Sequence, residues 1–269
     1  MSGRLQDKVC LVVGGGQTPG QTVGNGRATA LRFAQEGAIV LVADRHLESA
    51  QETAQLIAAD GGRALALRCD VTDEASIEAM IDCCVTEYGR LDVLHNNVGF
   101  SSEGGDAPID EITVEAFDRV LAVNLRGMVM TCKHALRLMA KQSHGVIVNV
   151  GSIAGRNVHP TVAYKTSKAG VSALTQHIAV RYAKLGIRAN CILPGSMATP
   201  MAVDGAALRK GVDPAAYSAE RDARVPLRGK QGTGWDVANA ALFLASDEAG
   251  FITGIDLPVD GGALAFVGT

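Results

Sequence analysis

The sequence predicts an α/β fold, a single Rossmann-type domain in which a doubly wound parallel sheet of about seven strands carries helices on both faces. Two observations lead to this prediction. Short apolar runs of strand length alternate with helical patterns along the 269-residue chain. Several of these runs end directly in glycine or in a polar residue, as strands do where a parallel sheet binds a ligand beyond its carboxyl edge. Because no linker interrupts the pattern, we expect residues 1–269 to form one domain.

The first strand–helix–strand unit has the features of a dinucleotide site. One apolar run ends at Gly14, the next helical pattern begins at Gly24-Asn25-Gly26, and a second apolar run ends at Asp44. Glycines let a pyrophosphate approach the backbone, and the helix N-terminus offers free N–H groups to it. Asp44 follows the glycines at close to the ~20-residue spacing of a carboxylate that binds ribose hydroxyls. The unit therefore predicts a bound dinucleotide.

A long loop separates Gly14 from Gly24. Two registers fit the glycine motif. Either Gly14 is its first glycine and the loop contains an insertion, or the motif runs from Gly20 to Gly26 and the insertion precedes it. Gly14 directly follows the strand, so we favour the first register. We expect residues 15–23 to close over the cofactor phosphates rather than the substrate, with hydrogen-bond donors at Gln17, Thr18, Gln21 and Thr22.

Polar residues and glycines also follow the later predicted strands. They occur at Asp70-Val71, Asn96-Asn97-Val98-Gly99, Gly151-Ser152 and Pro194-Gly195. Because ligands bind beyond the carboxyl ends of parallel strands, we expect these residues to gather along one edge with Asp44. The polar loop 100–110 and residues 156–162 should line a substrate site. Residues 201–228 read as irregular, and we expect residues 200–228 to form a lid.

Tyr164 and Lys168 lie four residues apart in a helical pattern, so their side chains share one face. A free phenol titrates near pH ~10 and is a poor acid–base group at neutral pH. A nearby ammonium favours the phenolate and lowers the phenol pKa, and general catalysis works best with a pKa near the working pH. By itself the pair is more often a half-buried tyrosine beside a solvated lysine, so the remaining motifs decide its interpretation.

Taken together, these motifs resemble the short-chain dehydrogenase/reductase family over residues 5–262. The resemblance implies that Tyr164 is the catalytic acid–base and that Lys168 lowers its pKa and binds the nicotinamide ribose. It implies that Ser152 polarises the substrate carbonyl and that Asn124 holds a water in a proton relay. It also implies cofactor contacts along the sheet edge, at Asp70, Val71, Asn96, Asn97, Val98, Gly99, Pro194, Gly195, Met197 and Thr199. The chain departs from the family in its longer glycine loop, in Val13 for threonine and in Val98 for alanine.

The implied function is that of an NAD(P)(H)-dependent oxidoreductase that interconverts a secondary alcohol and a ketone by hydride transfer. We expect NAD rather than NADP, because the Asp44 carboxylate repels a 2′-phosphate, although Arg45 would attract one. Two alternatives stay open: an NADPH-dependent 3-oxoacyl-thioester reductase, and a non-catalytic dinucleotide-binding regulator. A regulator has no need of a proton relay, so the complete set of four catalytic residues argues against it.

Composition and charge exclude several other classes. The formal net charge is −3 and no basic run is present, so we expect neither nucleic acid nor a membrane surface as partner. No apolar stretch approaches the ~18 residues of a membrane span, and the N-terminus shows no signal-peptide pattern. The six cysteines form no CxxC pair and the histidines lack zinc-ligand spacing, so we predict reduced thiols, no metal and a cytoplasmic protein. By resemblance we expect a homotetramer or homodimer through helices 127–142 and 164–185.

Overall fold

The computed structural model describes residues 3–266, and the outermost residues of the predicted domain lie outside this range. Within it, seven parallel strands form one sheet in the order β3-β2-β1-β4-β5-β6-β7. The strands are β1 (Val9–Val13), β2 (Ile39–Asp44), β3 (Arg63–Arg68), β4 (Val93–Asn96), β5 (Gly145–Val150), β6 (Ile187–Pro194) and β7 (Asp256–Val259). The α-helices are α1 (Asn25–Gln35), α2 (Leu47–Ala59), α3 (Glu74–Tyr88), α4 (Val114–Leu121), α5 (Gly127–Gln142), α6 (Val162–Arg181), α7 (Asp204–Lys210), α8 (Pro214–Asp222) and α9 (Gly234–Ala245).

The sheet has a hydrophobic core on each face, as the near-continuous apolar strands predict. Alternate residues of β1 point to opposite sides: Leu11 packs with α3, α5 and α6, whereas Val12 packs with α1 and α9. Phe33 of α1 and Ile178 of α6 are among the largest fully buried side chains of the two faces, respectively. The doubly wound α/β fold predicted from the sequence is therefore confirmed.

The strand order reverses between β1 and its neighbours β2 and β4, with β1 hydrogen-bonded to both. In an open parallel sheet such a reversal leaves a crevice outside the carboxyl ends of the strands. Gly14 leaves β1 and Asn97 leaves β4 at this point. The topology thus brings together the two loops in which the sequence placed the cofactor.

Two predicted boundaries differ from the structure. Residues 201–228, which we predicted to be irregular, contain α7 and α8. The signals for α8 are local ones: Asp213 accepts a hydrogen bond from the Ala216 N–H, and a proline occupies the first turn. Helix α6 begins at Val162 rather than at Tyr164, so Tyr164 lies inside its first turn. Across residues 3–266, no helix combines the length and apolarity that crossing a membrane requires.

Candidate active site

The glycine turn after β1 leaves no room for side chains. Gly14 adopts a left-handed φ of 79°, which favours glycine. A Cβ placed on Gly26 would lie 1.9 Å from the carbonyl oxygen of Gly14 and 2.7 Å from Asn97 Nδ2. Gly14 and Gly26 are therefore in direct contact, and the residues between them loop out of the turn. This packing agrees with the register in which Gly14 is the first glycine of the motif.

The inserted loop is stabilised by internal hydrogen bonds, and its tip reaches residues 200–204, at the start of the predicted lid. The Gln17 amide donates from Nε2 to the Thr22 carbonyl at 2.7 Å, and its Oε1 accepts from the Gly24 N–H at 3.0 Å. The Gln17 amide therefore holds the loop together instead of offering a free donor to a phosphate. A Cβ on Gly20 would lie 2.6 Å from Pro200 Cβ and 2.7 Å from Asp204 Oδ2. The tip of the loop therefore contacts the start of the predicted lid, and the expectation that the loop closes over the cofactor phosphates stays a prediction.

Asp44 lies at the carboxyl end of β2, where the sequence placed it. Its Oδ2 accepts from the Gly16 N–H at 3.1 Å and its Oδ1 accepts from the His46 N–H at 3.0 Å. The carboxylate is thus oriented by the glycine turn. The guanidinium of the neighbouring Arg45 lies at 3.3 Å from the His46 ring and is exposed.

The loop after β3 places Asp70 and Val71 at the same edge as β2. Asp70 Oδ1 accepts from both the N–H and the hydroxyl of Thr72, at 2.9 and 2.7 Å. These hydrogen bonds lower the pKa of the Asp70 carboxyl, and the charges of Arg45 and Arg68 lower it further. Val71 is buried against Gly127 at the start of α5. Asp70 and Arg45 are therefore charged neighbours at this edge of the sheet, beside Asp44.

The two asparagines after β4 have different environments. Asn97 Nδ2 donates to the carbonyl of Gly14 at 3.1 Å and so ties β4 to the glycine turn. Val98 packs against Gly14 from the same side. Asn96 is fully buried, and its Nδ2 donates to the Met128 carbonyl at 3.3 Å. The Asn96 side chain therefore faces α5, and the expected contact of Asn96 with the adenosine stays a prediction.

Tyr164, Lys168 and Ser152 come together at the carboxyl end of β5. Lys168 is 3% exposed, and its Nζ donates to the Val150 carbonyl at 2.9 Å. The same Nζ lies 5.7 Å from the centroid of the Tyr164 ring. Ser152 follows β5, and its hydroxyl accepts from the Ala154 N–H at 3.1 Å. The helical spacing of tyrosine and lysine thus places both on the face of α6 that meets the serine.

Burial is the largest influence on the pKa values of both Tyr164 and Lys168. Burial raises the pKa of the Tyr164 phenol, a hydrogen bond with Ser152 lowers it, and the charge of Glu103 raises it again. Burial also lowers the pKa of the Lys168 ammonium to about 8, because desolvation disfavours the charged form. Burial, Ser152 and Glu103 account for the shift of the phenol pKa, so the expectation that Lys168 lowers this pKa stays a prediction. Sequence spacing gave the proximity of the two groups but not the desolvation that both undergo.

Asn124 occupies an irregular turn of helix. A π-helical turn spans Ala122–Arg126, a feature found mostly at functional sites. Asn124 Oδ1 accepts from the Phe100 N–H at 2.9 Å, and its Nδ2 donates to the Phe100 carbonyl and to Ser167 Oγ. The amide is therefore engaged by the loop after β4 and by α6. Its expected role in holding a water stays a prediction.

The far wall of the crevice follows β6. Gly195 donates its N–H to the Val259 carbonyl at 2.9 Å, and a Cβ there would lie 2.7 Å from Asp260. The side chains of Met197 and Thr199 are 5% and 6% exposed. They lie immediately before the lid, so Pro194, Gly195, Met197 and Thr199 connect the sheet edge to α7.

Helix α7, the first helix of the predicted lid, contacts the loop after β4. Arg209 Nη1 forms an ion pair with Glu103 Oε1 at 2.9 Å, each about one-third exposed. Glu103 belongs to the loop after β4, while the start of the lid contacts Gly20 of the inserted loop. We singled out neither Glu103 nor Asp106 of the same loop from the sequence. No local pattern marked them, because their partners lie far away along the chain.

The glycine turn fits a dinucleotide. Its glycines are in contact where any Cβ would obstruct the approach of a phosphate to the backbone. Two buried polar atoms nearby, Thr22 Oγ1 and Asn25 Oδ1, have no hydrogen-bond partner among the described residues. The first turn of α1 also begins at Asn25, where helix N–H groups are free. Over residues 3–266, no cluster of three or more histidine, cysteine, aspartate or glutamate residues is arranged to hold a metal ion.

The fold and this site define a class of protein, which comparison with known sequences identifies. A family model described as enoyl-(acyl carrier protein) reductase matches residues 21–263. The chain belongs to the short-chain dehydrogenase/reductase family and is an oxidoreductase. It is similar to the cis-4-hydroxycyclohexanecarboxylate dehydrogenase of Sinomonas cyclohexanicum, with 41% identity over 91% of this chain and 94% of that protein.

Further relatives agree with this assignment. The 2,5-dichloro-2,5-cyclohexadiene-1,4-diol dehydrogenase of Sphingobium indicum is 38% identical over 97% of this chain and 98% of its own length. A crystal structure of a short-chain dehydrogenase/reductase from Burkholderia xenovorans has a TM-score of 0.92 and 41% identity. The match covers 99% of this chain and 100% of that one. The resemblance drawn from the sequence motifs is confirmed.

Proposed function

We propose that this oxidoreductase interconverts a secondary alcohol on a small cyclic compound and the corresponding ketone, with NAD(H) as the hydride carrier. One observation supports the reaction type most strongly: Tyr164, Lys168 and Ser152 lie together at the sheet edge beside the glycine turn. Lys168 Nζ is 5.7 Å from the Tyr164 ring centroid, and Ser152 lowers the phenol pKa. The two relatives named above act on ring-borne alcohols, as their names state. They support the choice of a cyclic substrate.

The side chains divide the work of alcohol oxidation between them. The bound dinucleotide supplies the hydride acceptor. Ser152 donates a hydrogen bond to the substrate oxygen and so stabilises the negative charge that develops there. Tyr164 removes the hydroxyl proton as general base. Lys168, held at the Val150 carbonyl, binds the ribose hydroxyls and favours the phenolate when its amine is protonated. Ketone reduction runs through the same groups in reverse.

Asp44 supports NAD over NADP. Its two oxygens accept hydrogen bonds from Gly16 and His46, so the carboxylate is fixed at the carboxyl end of β2. A carboxylate at this position accepts hydrogen bonds from ribose hydroxyls and repels a 2′-phosphate. Arg45 is exposed and adjacent, and its charge also acts on Asp70. Arg45 would support binding of NADP only if Asp44 were removed.

Tyr164→Phe tests the reaction. The change removes only the ionisable oxygen, so cofactor affinity should survive while kcat falls about 10²–10⁴-fold. Tyr88→Phe, on α3, is the matched control and should keep full activity. The assay follows reduced nicotinamide absorbance with a panel of cyclic secondary alcohols. The wild-type rate of oxidation should rise with pH as the phenol ionises, and this limb should disappear in Tyr164→Phe. A Tyr164→Phe protein that retains most of its turnover would disprove the mechanism and favour the regulator.

Asp44→Ser tests the cofactor. We expect the wild-type kcat/KM to be higher with NAD than with NADP. In Asp44→Ser the ratio of the two kcat/KM values should move closer to one, because the charge that repels the 2′-phosphate is gone. Asp82→Ser removes an exposed carboxylate from α3 and should leave the ratio unchanged. A wild-type preference for NADPH would contradict the proposal and favour the thioester-reductase alternative.

We also propose that the chain assembles through α5 and α6. Helices α5 and α6 border a surface groove of mixed apolar and basic character. It is lined by Val129, Lys133, Arg137, Leu174, His177 and Tyr182, with the buried Leu136 and Ile178 at its base. A second copy of the chain would cover its apolar part. Contact of this kind through both helices would give the expected homotetramer or homodimer.

A further inference from the structure

Helix α6 is capped by a residue from a distant loop. The residue at its N-cap position, Thr161, makes no side-chain hydrogen bond to the helix. The Ala163 N–H instead donates to Asp106 Oδ1 at 2.9 Å, and the Tyr164 N–H donates to Asp106 Oδ2 at 2.8 Å. One carboxylate thus binds two consecutive amides in the first turn, and the second amide belongs to Tyr164 itself.

The neighbouring residue completes this connection. The Val162 N–H, at the first position of α6, donates to the Ala107 carbonyl at 3.1 Å. The first three N–H groups of a helix have no partner inside the helix and need one outside it. Here Asp106 and Ala107 supply all three. The loop after β4 therefore fixes both the position and the direction of the first turn of α6.

Asp106 is held in this place by its surroundings. It is 9% exposed, and a buried carboxylate is unfavourable unless its oxygens are hydrogen-bonded. Two helix N–H groups and the positive end of the helix dipole meet this requirement. Ser101 Oγ adds a weaker contact with Asp106 Oδ2 at 3.4 Å. Loss of the carboxylate would leave two amides without acceptors and free the first turn to shift.

The same loop contacts the rest of the catalytic set at its other end. A Cβ on Gly99 would lie 3.0 Å from Lys168 Nζ and 3.4 Å from Asn124 Oδ1. At the next residue, Phe100 exchanges two hydrogen bonds with the Asn124 amide. The loop therefore spans from the lysine and asparagine to the amide of Tyr164.

We propose that Asp106 is a positioning residue for Tyr164, an inference that rests on the proposed function. Ser152 stands on a separate segment after β5, so its distance from the phenol depends on where α6 begins. Lys168 lies one turn further along and has its own anchor at the Val150 carbonyl. The position of the phenol thus depends on Asp106, whereas the position of the ammonium depends mainly on the sheet.

The test separates kcat from cofactor binding. Asp106→Ala should lower kcat about 10- to 100-fold, because displacing a reacting group by about 1 Å has an effect of this size. The Kd for NAD, measured by protein fluorescence, should change less than about twofold. Asp106→Asn keeps one acceptor oxygen and should give an intermediate kcat. Asp73→Ala is the matched control, since Asp73 caps α3 through the Ala75 N–H at 3.1 Å. It should lower Tm without lowering kcat.

Several outcomes would overturn the inference. Asp106→Ala with kcat within about twofold of the wild type would show that the cap is only structural. Equal losses of kcat in the Asp106 and Asp73 variants would show a general effect of stability. If Asp106→Ala does not fold, Asp106→Asn decides by the same criterion. If the wild type oxidises no alcohol with either cofactor, the proposed function itself is overturned. If the wild type is active and the Asp106 variants have the same kcat, only this inference is overturned.

Discussion

Replacing His95 with leucine should make the fold less sensitive to acid. His95 lies in the middle of the sheet on β4 and is fully buried. Its ring meets Phe33 edge-on, with centroids 6.1 Å apart, and neither ring nitrogen has a hydrogen-bond partner among residues 3–266. Burial therefore lowers the pKa of His95 from its ordinary 6.5 to about 3. The folded protein holds this imidazole neutral through most of the acid range.

The sign of the effect follows from the two pKa values. Between pH 6.5 and about 3, the unfolded chain binds a proton at His95 that the folded chain does not, so stability falls as the pH falls through this window. Protonation of the unfolded state costs about 1.4 kcal/mol per pH unit once the pH is well below its pKa. From pH 7.5 to pH 5.5 the loss attributable to His95 is about 1.4 kcal/mol.

Urea unfolding followed by circular dichroism at these two pH values measures the loss. The wild type should lose about 1.4 kcal/mol more between pH 7.5 and 5.5 than His95→Leu does, since leucine fills a similar volume and does not titrate. His144→Gln, which changes an exposed histidine, is the control and should keep the wild-type dependence. If His95→Leu shows the same pH dependence as the wild type, the buried histidine either has a partner or remains accessible to protons, and the reasoning is refuted.

Three further predictions concern the lid, the loop and assembly. Deleting residues 17–22 removes the contact of Gly20 with the lid, so both the Kd for NAD and the substrate KM should rise; an unchanged KM would show that the contact is incidental. Arg209→Ala breaks the partly exposed ion pair with Glu103, which stabilises the contact by no more than about 1 kcal/mol. Steady-state kinetics should therefore show a KM raised a few-fold with kcat unchanged, whereas Arg209→Lys should have a KM close to that of the wild type. Val129→Glu places a charge at a partly exposed position of the groove between α5 and α6 and should reduce the molar mass measured by light scattering. A monomeric wild type at micromolar concentration would contradict the proposed assembly.

The sequence by itself determined the fold class, the first strand–helix–strand unit and the neighbourhood of the site. Apolar runs and helical periodicity report burial of local segments, and parallel strands have only a few topologies available to them. Gly14, Asp44, Ser152, Tyr164 and Lys168 each lie in or next to a local element whose end the sequence marks. Their common edge follows from the topology, so the amino-acid pattern is sufficient to locate these residues.

Only the tertiary structure decided the contacts and the pKa values of those residues. Tyr164 and Asp106 are 58 positions apart, and Gly20 contacts Pro200, so no local pattern links either pair. The pKa values of Tyr164 and Lys168 depend on desolvation, which is a property of everything packed around them rather than of their spacing. The same holds for Asn96, which turns from the crevice toward α5. Sequence periodicity reports on residues that are close along the chain, whereas the pKa values and hydrogen bonds of the site depend on residues that are close in space.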